Sequence, residues 1–598
     1  MVNFAGQQSK TPAGGSSEQH SRGAGVKETI ESILVAFILA FVFRAFVVEA
    51  FVIPSGSMAP TLLGAHMRFR CEDCGYRFDL NYPAGGMDES VSIPSVAGPD
   101  RGLDTVFPVH CPNCGMKVQK DTPDRKYSAA NTTVHYGDRI LVLKYIYLLQ
   151  EPRRWDVVVF KAPEQRARYD YGQNYIKRLV GRPGETVMIL DGDVYVCPNR
   201  HAVADAPMRY WPWEVQPKPW AAQEALWRVV FDNDFCPQNS ERRQRLHGAW
   251  VNPWQQREGQ GWSFTGADGR PRVLVFDNPD GSGTLFFNRD ANRGTYPFTD
   301  WLPYNETKHL VPRGNHFHID PYGQERIPRW NVSDVKVQFY YQRQAGDGPL
   351  KVALTKLGDT FIAELHPGEA RLVRRRETGE RVVLGTHPLK QGSWPIRVEF
   401  MNVDYRVTLR VDGVEIIQTT PEQYRPNVGG PGGLLERHEQ RMRLARNGAS
   451  PEEIRNVFPP PRVELIGERQ RAVITHLSLW RDVYYTPSYN SYAEEIEHGS
   501  PARPIRLHVR GEVDAEGRIC DNEYFVLGDN SIQSNDARAW REPVELWDGE
   551  MLEAGSGRVP ERFLLGKAFF VYWPAGFRPI SREAPDVIPN FGGMRFIH

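Results

Sequence analysis

The chain has 598 residues, which at about 150 residues per domain corresponds to three or four domains, and its 24% charged and 40% hydrophobic residues exclude whole-chain disorder, a collagen-like repeat and a multi-span membrane protein. Its 73 Lys+Arg balance 73 Asp+Glu, so no basic field gathers a nucleic acid and no nucleic-acid partner is expected. Gly 53 and Pro 46, with Trp 15 and Tyr 24, favour a turn-rich, mainly β fold, and seven Cys are too few for a disulfide scaffold.

The first element is an apolar run from Ile33 to Phe43, whose character continues past Arg44 and Glu49 to Ile53. A spanning helix needs about 20 residues, so the span must recruit Thr29 and Ile30, with Glu31 near one interface and Arg44 snorkelling at the other. A cleaved signal peptide and a buried core helix compete with a retained anchor. No small-x-small cleavage site followed by a hydrophilic start comes after Phe43, so the reading is a cytoplasmic tail over 1–27 and one transmembrane helix over 28–48. Lys10, Arg22 and Lys27 against Glu18 and Glu28 bias the tail inward. The remainder of the chain is then expected on the trans side of the cytoplasmic membrane, periplasmic or extracellular.

Next comes Ile53-Pro54-Ser55-Gly56-Ser57-Met58-Ala59-Pro60, serines held in a turn between two prolines, which alone reads equally well as a polar loop. Further on, Lys177 sits in the apolar stretch Tyr175-Ile176-Lys177-Arg178-Leu179-Val180, closed by Pro183-Gly184. A lone strand lysine is commonly an exposed edge charge. A serine hydroxyl, however, needs an adjacent base to become a nucleophile, and a desolvated lysine can supply one. Near the C-terminal end stand Leu527-Gly528-Asp529-Asn530 and Ser534-Asn535-Asp536-Ala537-Arg538.

These segments, with Gly137-Asp138-Arg139-Ile140-Leu141-Val142 and Trp155-Asp156-Val157-Val158-Val159-Phe160 between them, resemble the type I signal peptidase family of membrane-bound serine proteases. The resemblance covers about 230 residues, roughly 28 to 70, 133 to 198 and 520 to 582. It implies Ser57 as nucleophile, Lys177 as general base, Ser55 as oxyanion donor beside the Ser57 N–H, and Ser534 as a hydrogen-bond partner of the lysine. Gly528, Asp529, Asp536 and Arg538 would support the site. Ser531-Ile532-Gln533 departs from the family's usual triplet and Ala537 replaces a common serine, which weakens the supporting assignments more than the dyad. The resemblance further implies an endopeptidase, with no catalytic cofactor, that removes signal peptides from preproteins after small residues at the lipid bilayer. A self-cleaving repressor relative is disfavoured by the anchor. The non-enzyme alternative is a membrane-tethered carbohydrate or cell-envelope binding protein with a degenerate core.

Two insertions interrupt this pattern. Cys71-Glu72-Asp73-Cys74-Gly75 and Cys111-Pro112-Asn113-Cys114-Gly115 offer four thiolates on two tight turns, resembling a zinc ribbon over 71–132 with Tyr76, Phe78 and Val118 as its small core. Two disulfides are the alternative to a structural zinc on the trans side. Cys197, Cys236 and Cys520 carry no motif and read as free thiols. Between the peptidase segments 133–198 and 487–598 lies a stretch over 199–486 that is rich in strand signals, above all the alternating run Tyr405 to Ile416 with its Asp-Gly turn. Its order resembles concanavalin-like jelly rolls, which implies an independently folding β-sandwich with a carbohydrate or envelope ligand. Within it, 434–446 reads as a solvated helix, Ser450 opens a capping box, and His316-Phe317-His318 reads as a loop.

Overall fold

The computed structural model describes residues 18–82, 109–117, 134–162, 173–199, 206–266, 269–313, 316–319, 329–390, 392, 394–486, 497–513, 517–540, 544–545, 551–552, 557–574 and 590–598. The fold is mainly β, as expected from composition. The N-terminal helix runs Glu18–Phe46 and exposes Ile33, Leu34, Phe37, Ile38 and Phe41. Among the described residues, however, no helix is long and apolar enough to cross a membrane. The transmembrane helix expected over 28–48 falls on this helix, whose described residues alone do not make such a span. The apolar run is bounded by Glu31 and Arg44, and the helix ends at Phe46, giving way to the strand Val48–Val52. The side chains of residues 40 and 43–46 lie outside the described residues.

Three distant segments build the peptidase sheet, in the order Val48–Val52, Arg139–Leu143, Leu564–Trp573, Val157–Lys161, Asn174–Gly181, Glu523–Leu527 and Val559–Pro560. All these pairs are antiparallel. The valine-rich run Val157–Lys161 is buried through Phe160, as a central strand covered on both faces must be. A second sheet of four strands carries the hairpin Glu185–Leu190 and Asp193–Pro198. Asp191 and Gly192 take φ of 51° and 87° in its tight turn, the left-handed values that Asp and Gly tolerate.

The large insertion forms one continuous hydrogen-bonded network of thirteen strands rather than two separate sheets. Its hub is the 19-residue strand Val463–Arg481, which pairs with Arg228–Asp232, Val273–Phe287, Val335–Gly346 and Leu350–Lys356. The expected hairpin forms Arg406–Val411 and Val414–Gln418 around Asp412 and Gly413. His316–Ile319 pairs with Leu310–Arg313 as a strand rather than a loop, because so short an alternating run suits either state until a partner strand is present. The helix Leu434–Arg446 is not a solvated one: Leu434, Leu435, His438, Arg441 and Met442 are buried. Arg441 stacks 4.4 Å from the Trp330 ring centroid, so its charge is carried on an aromatic face. Ser450 closes the expected capping box of Pro451–Asn456.

The insertion does not keep its apolar core to itself. Met188, Leu190, Tyr195 and Cys197 of the peptidase hairpin pack in one buried cluster with Val337, Phe400 and Leu479 of the thirteen-stranded network. Conversely Ala222, Leu226, Val483 and Tyr485 belong to the buried cluster of the peptidase strands around Val158 and Phe525. One buried ion pair crosses the same joint, and a second buried group lies within the insertion. Lys356 lies 3.4 Å from Asp193 and pairs with Asp334, while Lys218 bridges Asp404 and Asp482, the latter at 2.8 Å.

Candidate active site

The turn that carries Ser57 is clamped at both ends by Asp138. The Ile53 N–H donates to the Asp138 carbonyl at 2.9 Å, the Asp138 N–H donates to the Leu63 carbonyl at 2.8 Å, and the Leu63 N–H donates to Asp138 Oδ2 at 3.1 Å. Arg595 donates to the same oxygen at 3.1 Å and to the Thr61 carbonyl at 2.7 Å. Gly137 is required beside it, since a Cβ there would lie 1.9 Å from the Ile53 carbonyl oxygen. Between these clamps Gly56–Met58 forms a single 3-10 turn that buries Ser57.

Lys177 reaches that turn from the strand Asn174–Gly181, which is buried from Tyr175 onward. Its Nζ stands 2.9 Å from Ser57 Oγ and 3.0 Å from the Ile176 carbonyl, and only 4% of the residue is exposed. Strand alternation sends the next side chain to the opposite face. There Arg178 makes a two-pronged contact with Asp529 at 2.7 Å on each prong, and donates to the Trp155 carbonyl at 2.9 Å. Burial works against the Arg178 charge, but Asp529 overrides it and raises the pKa further. Asp529 therefore anchors the lysine strand through Arg178.

Ser55 is exposed at the mouth of the turn, with Oγ 3.5 Å from Ser57 Oγ. Ser534 is buried behind Gly528, whose replacement by any other residue would put a Cβ 2.1 Å from Ser534 Oγ and 2.5 Å from the Ser57 carbonyl oxygen. Asp536 accepts from the Gly528 N–H at 2.9 Å and pairs with Arg538 at 2.7 Å. Seven of the eight residues of the expected site and its support are thus buried in one neighbourhood, with Ser55 exposed at its mouth.

Sequence reasoning missed several partners in that neighbourhood. Asn530 donates its backbone N–H to the Ser57 carbonyl at 3.0 Å and its side chain to the Gly56 carbonyl at 3.0 Å. Asn305 and Tyr304, from the large insertion, stand against Asn530 and Gly56. Ser531, at the position that departs from the family pattern, accepts from the Thr486 N–H at 2.7 Å and from Arg538 at 2.8 Å. The departure therefore suits a loop that receives the returning end of the insertion. No periodicity marks Tyr304-Asn305, and only the Pro and Asn content of that loop was visible beforehand.

The four motif cysteines converge as well. Cys71, Cys74, Cys111 and Cys114 are buried, with sulfurs all within 4.8 Å of one another. The Cys71–Cys114 and Cys74–Cys111 sulfur separations are both 3.6 Å, compatible with tetrahedral ligation at about 2.3 Å per bond. The two turns repeat one geometry: Gly75 and Gly115 take φ of 81° and 73° and donate to the Cys71 and Cys111 carbonyls at 3.0 and 2.9 Å. Burial pushes the Cys74 and Cys111 thiols up, so a cation is what would let four thiolates coexist there. The strands His66–Arg70 and Arg77–Asn81 flank the first turn, so this small sheet begins before Cys71. Phe78 is in its core and Tyr76 packs against it, whereas Val118 lies outside the described residues. Arg243 of the insertion donates to the Cys114 carbonyl at 2.9 Å and pairs with Asp73 at 3.1 Å. Cys197 and Cys236 are buried free thiols and Cys520 is half-buried. A cavity of about 210 Å³ lies where the nucleophile turn, this small sheet and the insertion meet, lined by Pro60, Phe78, Trp227, Trp301 and Tyr304.

Comparison with known proteins points to a family. The family model for signal peptidase, peptidase S26, matches residues 26–79, 122–214 and 487–573. A relative named "Probable signal peptidase I-1" from Synechocystis sp. is 43% identical over 65 residues, covering 10% of this chain and 33% of that relative. "Signal peptidase I" from Rickettsia typhi is 24% identical over 171 residues, covering 29% of this chain and 43% of the relative. The chain thus spans less than half the length of these relatives, and the matched segments leave out most of the insertion. Together they support the peptidase S26, signal peptidase I, family and indicate a peptidase hydrolase. Among solved structures, a carbohydrate binding module, CBM66, from Bacillus subtilis matches at 10% identity, covering 38% of this chain and 96% of that chain with TM-score 0.20. Sheep galectin-11 in complex with glycerol matches at 11% identity, covering 25% of this chain and 90% of that chain with TM-score 0.16. Overlaps this weak carry no argument about the insertion's fold or ligand.

Proposed function

We propose that the protein is a membrane-attached serine endopeptidase that removes signal peptides from preproteins with a Ser57–Lys177 dyad. The observation that carries this reading is the buried 2.9 Å contact between Lys177 Nζ and Ser57 Oγ. In the working form the neutral amine accepts the Ser57 proton as Oγ attacks the scissile carbonyl, then returns it to the leaving amine. Ser55 Oγ and the Ser57 N–H serve the oxyanion, where one lost donor costs about 10²- to 10³-fold in rate. Asp529 holds Arg178 and so the lysine strand, and Asp536 with Arg538 holds Gly528 against the turn.

The exposed apolar side chains of the N-terminal helix, with Leu148 and Leu149, support attachment to the bilayer. The charge bias of the tail supports a trans-side catalytic domain that works on membrane-anchored preproteins. Cys71, Cys74, Cys111 and Cys114 would hold a zinc ion in a purely structural role.

The test uses detergent-solubilised full chain, a preprotein and N-terminal sequencing of the product. Ser57→Ala and Lys177→Ala should each abolish cleavage while the circular dichroism and melting temperature stay unchanged. Lys177→Arg should fail as well, since a guanidinium is not deprotonated at working pH. The wild-type rate should climb with pH as Lys177 loses its proton and then level off. Near-wild-type cleavage by Lys177→Ala would refute the dyad.

A further inference from the structure

The Gly56–Ser57 peptide has a Gly56 carbonyl on one side and, by planarity, the Ser57 N–H on the other. Whatever holds that carbonyl also aims the N–H that faces the oxyanion. The holder is Asn530, whose Nδ2 donates to the Gly56 carbonyl at 3.0 Å. Its backbone N–H fixes the following peptide through the Ser57 carbonyl, also at 3.0 Å. A carboxamide alone is an ambiguous holder: half a turn about its last torsion would replace the donating Nδ2 by Oδ1 and set two oxygens against each other.

Gln533 of the same loop narrows that ambiguity, its Oε1 accepting from Asn530 Nδ2 at 3.3 Å, and a residue from the large insertion narrows it further. Asn305 Nδ2 donates to Asn530 Oδ1 at 2.8 Å, and Asn530 Nδ2 donates to Asn305 Oδ1 at 2.7 Å. Such a reciprocal pair couples the two amides, so Asn530 cannot turn by itself, and turning both together would still lose the bond to the Gly56 carbonyl. Both residues are buried, at 7% and 0% exposure, so a half-turn would leave donors and acceptors unmade where water cannot replace them. Tyr304, adjacent in the chain, places Cε1 2.5 Å from where a Gly56 Cβ would stand, so the ring closes the space into which the turn could swing. The loop itself is fixed from behind. Asp300 accepts from the Trp330 N–H at 2.9 Å and from Thr486 Oγ1 at 3.3 Å, and Arg481 donates to the Trp301 carbonyl at 2.7 Å.

We propose that Asn305 is a positioning residue for peptide-bond cleavage: through Asn530 it fixes the Gly56–Ser57 peptide, so that the docked insertion, which also closes on Gly56 with Tyr304, sets the oxyanion donor. This inference rests on the Ser57–Lys177 reading. It requires an effect on kcat rather than on KM, because the oxyanion forms only as the reaction proceeds.

The full chain in detergent is assayed with a soluble peptide spanning a cleavage site, and its affinity for a matching peptide aldehyde is measured, since the Ser57 adduct of the aldehyde places an oxyanion at the same donors. Asn305→Leu, nearly isosteric but without polar atoms, should lower kcat about 10- to 100-fold with KM within about threefold. Aldehyde affinity should weaken by the same factor, while the pH midpoint of the rate stays in place because Lys177 is untouched. If Asn305→Leu does not fold, Asn305→Ser, which keeps a polar atom in the loop, is judged by the same readings with a smaller loss. Wild-type kcat and aldehyde affinity in the folded variant, with Ser57→Ala inactive, would overturn the positioning role and leave the dyad standing. A loss that merely follows a lowered melting temperature would overturn it too. Turnover by Ser57→Ala would instead remove the reading beneath it.

Discussion

The cysteine-bearing sheet and the large insertion both interrupt the peptidase segments, yet they differ in who owns their core. The small sheet supplies nearly all of its own: Met67, Phe69, Phe78, Leu80 and Val109 close around the four cysteines, with Phe235 packed at the edge. The insertion shares its core with the peptidase hairpin and lends Ala222, Leu226, Val483 and Tyr485 to the peptidase cluster in return. Autonomy follows from how contacts are distributed rather than from length. A segment of about sixty residues with a metal can stand alone energetically, whereas one of nearly three hundred that gives away part of its core cannot.

The largest effect should therefore come from excision. Replacing 199–486 by a short Gly-Ser linker exposes Met188, Leu190 and Tyr195, each now at most 1% exposed, and strips Asp193 of its lysine. The product should be insoluble or molten and inactive even on a short peptide. This runs against the sequence-based expectation of an independently folding β-sandwich. A folded, active excision product would restore it.

Removal of the metal site should be severe but local. Cys74→Ser should lose a bound zinc, read by elemental analysis at about one per chain in the wild type, and raise amide exchange across 66–82 and 109–117. Exchange in the strand Asn174–Gly181 should stay low, because the small sheet holds its own core. Two disulfides found by mass spectrometry, with no metal, would overturn the zinc assignment.

A middle-sized effect is expected at the ionic joint. Lys356 is 3% exposed and faces Asp193 and Asp334. Lys356→Met leaves those carboxylates uncompensated, and breaking a buried pair costs about 3–5 kcal/mol. In denaturant titrations the hairpin and the thirteen-stranded network should lose stability together. Unfolding of the network alone would argue for an independent module.

What was legible in advance divides along the same line. Ser57, Lys177, Gly528 and the cysteine turns were visible because each sits in a short local pattern, and patterns of a few residues survive without knowledge of the fold. The Asn305–Asn530 pair spans 225 residues of sequence and belongs to no repeat. Arg178 stood in view beside Lys177, but only the register of the strand pairs shows that it turns toward Asp529. His438 and Arg441 read as solvated because charged residues usually are; Trp330 and Tyr484, which contact Arg441, lie far away in sequence.

The smallest effect concerns Asp300, which ties the Asn305 loop to Thr486 at the returning end of the insertion. Burial, its largest influence, raises this carboxyl from 3.8 to about 6, even though the Trp330 N–H and Arg481 pull it down. Between about pH 4 and about pH 6 the folded state then holds a proton that the unfolded chain has released. Stability from this group is fully present below the unfolded value, falls as pH rises through that window and is constant above it. Asp300→Asn removes the titration while keeping an acceptor for the Trp330 N–H. Its stability relative to wild type should therefore improve from pH 4 to pH 6 and hold steady from pH 6 to pH 8, measured by urea midpoints. A difference that is flat across pH 4–8 would show that the carboxyl is not held neutral by burial. A difference that changes only above pH 6 would place the Asp300 carboxyl higher than burial sets it here, because Asp191, which burial raises to about 7, titrates in both proteins and cancels.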